Sequence, residues 1–473
     1  MTNYHDSFTL RLPPEILTTA ASYLGDDASL IAATQVCHFW RSTLISSPYL
    51  WSHLTSDWNM QRTLMFLERS KSAPISVHLT GSVGSWGVSL MGLRDRLTSL
   101  RATDTPSLDQ LLIKPLPVLR NLDVVASGYL SYVRTLAATD PVPRLTKFYF
   151  KLNPRRPGDE ATHRTGDNLL DFLRSCPLLE VVFFSYGDPD RDIEFTIDGG
   201  CTEPISLSFL RSFTHESPFE NVHVGLFNRL LLPPTCHVTF AITDSILSNR
   251  WVRGFPPLRD PSYLFDVKKV EVAFHYQKGR FTTVNATYLN SRNAKISLNR
   301  LANSPHPNNT VWVIDNFLDF FGSSTAVRSA EILHFKCCQV FPPPGYVPRG
   351  LTRPLRELGS LKTIVLSGGS PAFFLVNPPR PAVWCPRVEN LVVSLDFPTP
   401  HPEPMERDVL ERVCGIAMSR REHATPLKTV ALFLPEAGPQ SQTRRVLIEL
   451  LRRRVESVEV KSLGEWMEWC RDG

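Results

Sequence analysis

From residue 97 onward the chain repeats one spacing of apolar positions: a large apolar residue, two free positions, a second, one free position, a third. Instances are Leu97/Leu100/Ala102, Leu119/Leu122/Val124, Leu145/Phe148/Phe150, Leu178/Val181/Phe183 and Val267/Val270/Val272. They resume at Ala330/Leu333/Phe335, Leu361/Ile364/Leu366, Val388/Leu391/Val393, Leu427/Val430/Leu432 and Val455/Val458/Val460. The second and third positions lie two apart, so they face one side of a strand. Degenerate copies fit at His237–Phe240 and Lys295–Leu298. Helical spacing precedes several of these strands, at Tyr129–Thr139, Asp167–Cys176, Glu406–Arg421 and Ser441–Arg454. Helix, short proline-bearing loop and strand, recurring about ten to twelve times, predict an α/β solenoid of parallel strands. An ordinary α/β domain with buried parallel strands gives the same runs and stays open as an alternative.

On each strand the residues between the apolar ones turn to the other face. These are Asn121 and Asp123, Lys147 and Tyr149, Lys269 and Glu271, Thr363 and Val365, Asn390 and Val392, Thr429 and Ala431, and Ser457 and Glu459. Solenoids present such a face to their ligands, and aromatic residues carry much of the binding energy at interfaces. The candidate target-binding residues are therefore Lys147, Tyr149, Lys269 and Glu271, with the late repeats mainly structural. Glu465–Trp469 reads as an amphipathic cover for the open end of the array.

The first sixty residues differ. Leu12-Pro13-Pro14-Glu15 opens a helix in which Ile16, Leu17, Ala20, Ala21 and Leu24 recur at helical spacing. Gly25-Asp26-Asp27 stops it and caps a second helix with Leu30, Ile31 and Ala33. A third is expected over about 36–45, and Ser46-Ser47-Pro48 ends it before the apolar Leu50-Trp51. A unit this small and this apolar completes its core against a partner or the following domain.

The order Leu12-Pro13-x-Glu15-Ile16-Leu17, Leu24, Leu30, Val36-Cys37, Trp40-Arg41, Pro48 and Leu50-Trp51 resembles the F-box motif over roughly residues 10–51. His38 stands where the family usually has arginine. The repeats look like the irregular leucine-rich repeats fused to F-boxes, particularly in fungal proteins. The implied fold class is α/β: a three-helix F-box at 1–55, then an irregular leucine-rich-repeat solenoid at 56–473. The resemblance implies docking on a Skp-family adaptor through Leu12, Pro13, Pro14, Glu15, Ile16, Leu17, Leu24, Leu30, Val36, Cys37, Trp40, Leu50 and Trp51. It further implies a substrate receptor of a cullin-RING (SCF-type) ubiquitin ligase that holds an unknown protein target on the solenoid, itself non-catalytic. A scaffold that binds the adaptor without ubiquitin transfer is the alternative, and an enzyme on an α/β scaffold a third class.

Composition narrows this further. The net charge of +5 over 473 residues is too small and too dispersed to indicate nucleic acid. No stretch has the roughly 18 apolar residues of a membrane span, and no basic start with an apolar run marks a secretory signal. Nine scattered cysteines, without a CxxC pair, fit reduced thiols in the cytoplasm or nucleus. Prolines number 39, so firm stops separate short elements. The motifs GxGxxG, GxxxxGK[ST], HExxH and GxSxG do not occur. Cys337 and Cys338 would point to opposite strand faces, so no metal or cofactor is expected. Arg444-Arg445 and Arg452-Arg453-Arg454 read as solvated positions of the last long helix.

Overall fold

A computed structural model describes residues 12–81, 92–103, 108, 115–127, 142, 144–153, 165–186, 204–217, 229–243, 267–277, 280–290, 295–301, 329–337, 359–368, 387–396, 402–422, 425–435 and 442–472. The chain divides into two compact units, Met1–Gly187 and Asp188–Gly473.

In the first unit, Pro14 sits at the first position of α1 (Pro14–Ser22), where a missing N–H costs nothing. Asp26 caps α2 (Asp27–Ala33) by accepting from the Ser29 N–H at 2.7 Å. The third helix, α3 (His38–Ile45), starts two residues later than its apolar pattern. Cys37 is its cap, and the Cys37 Sγ accepts from the Trp40 N–H at 3.4 Å. A 3-10 turn at Pro48–Trp51 leads into β1 (His53–Thr55), α4 (Met60–Ser70) and β2 (Ile75–Thr80). Trp51 is fully buried. Its indole N–H donates to the Leu44 carbonyl at 2.8 Å, and its ring meets Phe66 of α4 at 4.9 Å. The small helical unit therefore completes its core on the elements that follow it, as its apolar content requires.

Next come β3 (Leu97–Thr103), β4 (Asn121–Ser127), β5 (Lys147–Asn153), α5 (Thr165–Ser175) and β6 (Val181–Tyr186). Strands β1 to β6 pair in chain order, all parallel. Leu100, Leu122, Phe148 and Val182 are buried on one face, and Phe172 of α5 packs on Phe148 at 4.7 Å. The expected phase of β6 is corrected by one residue. Leu179, Val182 and Phe184 are buried, whereas Leu178 is 40% exposed.

In the second unit, β7 (Ile205–Ser206) pairs with β9 (Leu230–Leu231). The main sheet contains β8 (Ser212–Ser217), β10 (His237–Thr243), β11 (Val267–Gln277), β12 (Arg280–Asn290), β13 (Lys295–Leu301) and β14 (Ile332–Cys337). It continues with β15 (Thr363–Gly368), β16 (Asn390–Ser394), β17 (Thr429–Leu434) and β18 (Ser457–Ser462), interspersed with α6 (Pro402–Glu422) and α7 (Gln442–Arg452) and followed by α8 (Leu463–Asp472). The spatial order is β8-β10-β13-β12-β11-β14-β15-β16-β17-β18. All these neighbours are parallel except β12, which is antiparallel to both β11 and β13. The segment at 295–298 is therefore the third strand of a meander seated beside β10, rather than a repeat stacked in chain order.

At the starts of β11, β14, β15, β16 and β17 the charge alternates: Lys268 within β11, then Glu331, Lys362, Glu389 and Lys428 just before their strands. Lys268 and Lys362 flank Glu331 at 3.5 and 3.3 Å, and Lys428 meets Glu389 at 2.9 Å. Each exposed pair contributes about 0–1 kcal/mol, and the alternation opposes a register slip. Pro402 and Pro404 lie in the first turn of α6, where proline is tolerated. Arg444 is no solvated position, for it pairs with Glu406 of α6 at 3.1 Å with both side chains largely buried.

The last helix corrects the largest expectation. Trp466 of α8 is 3% exposed and lies on Val365, Val392, Ala431 and Phe433. These side chains point away from the Ile364/Leu366, Leu391/Val393 and Val430/Leu432 face. So α8 covers the second face of β15–β17, and Val365, Val392 and Ala431 are buried rather than presented to a ligand. The expected helix at 129–139, residues 154–160, 341–345 and 377–381, and Cys338 lie outside the described residues.

Candidate functional site

The expected adaptor-binding residues fall into three places. Leu17, Leu30 and Trp51 are core residues, at 2%, 6% and 0% exposure. They hold the three helices against each other and against α4. A second set lies outward on α1. Pro13, Pro14, Glu15 and Ile16 are exposed, Leu12 is half-buried, and Ala20 and Tyr23 continue the line at helical spacing. Ile16 is 54% exposed and Tyr23 84%. Tyr23 was not singled out by the motif, although its position seven residues after Ile16 places it on the same face. Val36, 60% exposed, stands in the α2–α3 connection beside the half-buried Cys37 and Trp40.

The third place is a pocket of about 350 Å³ between the end of α1 and the 3-10 turn. Leu24 and Leu50 line it with Tyr49, His53 and Trp58, and Leu30 borders it from α2. Near its rim Arg62 pairs with Asp27 and lies over the Trp58 ring at 4.9 Å. Asp26 is held below the usual carboxylate range by the N–H and hydroxyl of Ser29. Exposed apolar groups on a rigid, capped frame suit a protein partner better than a small molecule.

The expected target-binding residues belong to different units. In the first, Lys147 and Tyr149 are exposed on the face of β5 opposite its phenylalanines. Tyr149 lies in an in-register row across five parallel strands: His78, Arg101, Asp123, Tyr149 and Phe183. Arg101 pairs with Asp123 at 3.3 Å, and the Tyr149 and Phe183 rings are 6.2 Å apart. Cation, anion and two aromatic rings thus stand side by side on one sheet face. Two lysines flank the tyrosine along its own strand, Lys147 and the exposed Lys151.

In the second unit, Lys269 and Glu271 are half-buried. Glu271 is engaged: its Oε2 lies 3.3 Å from Nδ1 of the buried His334, in register on β14. The His334 Nε2 in turn lies 2.8 Å from the Ser367 Oγ on β15. The contact with His334 holds the Glu271 carboxyl below its ordinary value. A carboxylate, an imidazole and a hydroxyl in line have the order of a hydrolase triad. Ser367, however, is 1% exposed within the sheet, and the following N–H, of Gly368, donates to Asp396. The hydroxyl meets no solvent, and that donor is spent, so the array reads as a buried polar network linking three strands. The Trp466 ring stands edge-on to His334 at 6.0 Å, which joins this network to the α8 contact.

Among the described residues no group of three or more His, Cys, Asp or Glu side chains is placed to hold a metal. No described helix is long and apolar enough to cross a membrane. Cys37, Cys176, Cys236, Cys414 and Cys470 are unbridged. Burial pushes the Cys176 and Cys236 thiols up to about 12 and Cys414 to about 11.

No curated protein matches the chain. Among solved structures, it is similar to a leucine-rich repeat-containing protein, LegL7 from Legionella pneumophila. The identity is 12% over 84% of this chain and 86% of that one, with a TM-score of 0.23, too low to carry an argument. The model of the F-box-like family matches residues 9–57. The chain therefore carries an F-box-like domain at its N-terminal end, over the helices whose exposed faces are described above.

Proposed function

We propose that this protein is the substrate-recognition subunit of an SCF-type cullin-RING ubiquitin ligase, acting in the cytoplasm or nucleus. The observation that carries the reading is the F-box-like match over residues 9–57, on helices that leave Ile16, Tyr23 and Val36 exposed. The F-box, placed at residues 1–55, docks on a Skp-family adaptor through the outward set on α1, with Val36 and Trp40. The strands after residue 55 hold a protein target. Ubiquitin transfer takes place elsewhere in the complex. This chain contributes proximity, by turning an encounter in solution into an effectively intramolecular one.

Target contacts are assigned to Lys147 and Tyr149 on the charged and aromatic row of the first unit. The carboxylate of Glu271 is committed to His334, and Lys269 is assigned as the contact from the second unit. The late strands are closed by α8 and serve as structure.

The test is adaptor capture. Burial of a leucine-sized side chain stabilises by about 1.5–3 kcal/mol. The Leu12→Ala/Pro13→Ala double variant should bind the adaptor at least about tenfold more weakly while its strands stay folded. Undiminished capture would sink the docking assignment. Co-purification of neddylated cullin and ubiquitin conjugates separates a ligase subunit from a scaffold that binds the adaptor alone. Tyr149→Ala with Lys147→Ala should reduce target capture and leave adaptor binding unchanged.

A further inference from the structure

The last strand of the second unit, β18, pairs with β17 on one side, and its other edge carries no strand among the described residues. The N–H of Ser457 donates to the Lys428 carbonyl at 2.8 Å. Main-chain groups alternate in direction along a strand. So Ser457, Glu459 and Lys461 turn their N–H and C=O groups to β17, and Val458 and Val460 turn theirs outward. The side chains divide the other way. Val458 and Val460 share the face of Val430 and Leu432, whereas Glu459 and Lys461 lie on the α8 face, 2.7 Å apart.

The flank above this edge is apolar. Helix α7 buries Leu447 and Leu451, and Arg444 reaches Glu406 of α6. Val446 and Leu450 lie on the side of α7 turned away from Arg444, and they are 53% and 43% exposed. Val460, 40% exposed, stands below them on the open edge. An outward-facing main-chain edge beneath an apolar helix flank is what one repeat of such an array presents to the next.

We propose that a second copy of this chain covers this edge, its β18 antiparallel to the first about a two-fold axis at Val460. The strand is complementary to itself in one register. Only residues whose main-chain groups point outward can exchange both hydrogen bonds with an opposite partner. With Val460 opposite Val460, Glu459 lies opposite Lys461 twice, and Val458 opposite Ser462. Centring on Glu459 would set Glu459 against itself, and centring on Lys461 would do the same for the lysine. The Ser462 N–H is already donated to Glu465 at 2.7 Å. The Ser462 carbonyl opens α8 as its N-cap acceptor, so the junction has two main-chain bonds, both between the Val460 residues. The two-fold brings helix flank to helix flank, so Val446 and Leu450 of each copy meet in an isologous contact. It also sets the turn at Arg453 and Arg454, before one β18, near Glu465, after the other.

The test is the mass of the full-length chain by sedimentation velocity across a concentration series, with circular dichroism as the folding control. A dimer in the micromolar range is expected. Lys461→Glu sets like charges opposite each other and should raise the dimer dissociation constant at least about tenfold. The Glu459→Lys/Lys461→Glu exchange, which keeps every opposite pair complementary, should restore it. Val460→Asp should give a monomer. A wild-type chain that stays monomeric throughout overturns the proposal, and Glu459 and Lys461 are then guards of a solitary edge. A dimer indifferent to Val460→Asp and Lys461→Glu overturns it as well, as does an exchange variant that fails to regain the dimer.

Discussion

Replacement of Trp466 by alanine is the sharpest probe of how the second unit is closed. The indole is 3% exposed on Val365, Val392, Ala431 and Phe433. It lies 5.1 Å from the Phe433 ring and stacks on Trp469 at 5.0 Å. Truncation of a buried tryptophan costs about 3–5 kcal/mol, and each aromatic pair adds about 0.5–1.5 kcal/mol to what area alone predicts. Helix α8 has ten residues, and an isolated helix of that length is marginal in water. The loss is therefore comparable with all that holds it down, and the helix should detach while the strands remain. The chain has two compact units, so a single unfolding midpoint is ill-defined and a local readout is needed. Amide exchange over residues 463–472 should accelerate at least about a hundredfold in Trp466→Ala. The exposed Met467 gives the control, since Met467→Ala should change stability by less than about 0.5 kcal/mol. If exchange over α8 in Trp466→Ala stays within a few-fold of wild type, the helix is held by something other than this contact.

Three further outcomes follow from the same reasoning. Trp51→Ala should destabilise the first unit by about 3–5 kcal/mol in urea, since it empties the contact with Phe66 and leaves the Leu44 carbonyl without its indole donor; a change under about 1 kcal/mol would show that α4 and the helices fold independently. Glu271 is held below its ordinary value of 4.5 in the folded state, so its stabilisation is complete above that pH and lost as pH falls through the lowered value. The loss of amide-exchange protection over residues 267–277 and 332–337 in Glu271→Gln relative to wild type should thus be greatest near neutrality and vanish in acid; a loss independent of pH contradicts the His334 contact. Cys176 and Cys236, raised to about 12, and Cys414, raised to about 11, should resist iodoacetamide in the native protein and react after unfolding in urea, and ready native alkylation would contradict their burial.

The strands were legible wherever one face is apolar and the other polar. In β4, Leu122 and Val124 alternate with Asn121 and Asp123, and the phase is unmistakable. In β6 four apolar or aromatic residues run together from Val181 to Phe184, so alternation gives no phase, and the motif fits one residue too early. The late strands carried an unread signal. Val365, Val392 and Ala431 sit inside the unbroken apolar runs of β15, β16 and β17, and such runs mark strands covered on both faces. Alternation alone puts these three on the open face, and only the unbroken apolar run shows that this face is covered. The strand at Leu210/Phe213 escaped because its third position is His215, fully buried though polar. In the F-box segment the motif located the right helices. It could not tell Leu17 and Leu30, which hold the core, from Ile16 and Val36, which face outward, because a motif records residue type and not direction.

The inverted strand β12 bears on the order in which the second unit can assemble. Where strands stack in chain order, each docks on the one just made, as β15, β16 and β17 do with partners 27 to 39 residues apart in sequence. Strand β10 instead meets β13, with Val238 opposite Ile296, so the chain must leave two places vacant and return to fill them. Zipping from either end halts at this point until the β11–β12–β13 meander has closed, because only then does β10 have an edge to join. Loop closure over the longer separation comes before any contact rewards it, so the pairing of β10 with β13 is expected to be slower than closure of the meander itself. For a protein engineer, residues 267–301 therefore have to be moved as one block.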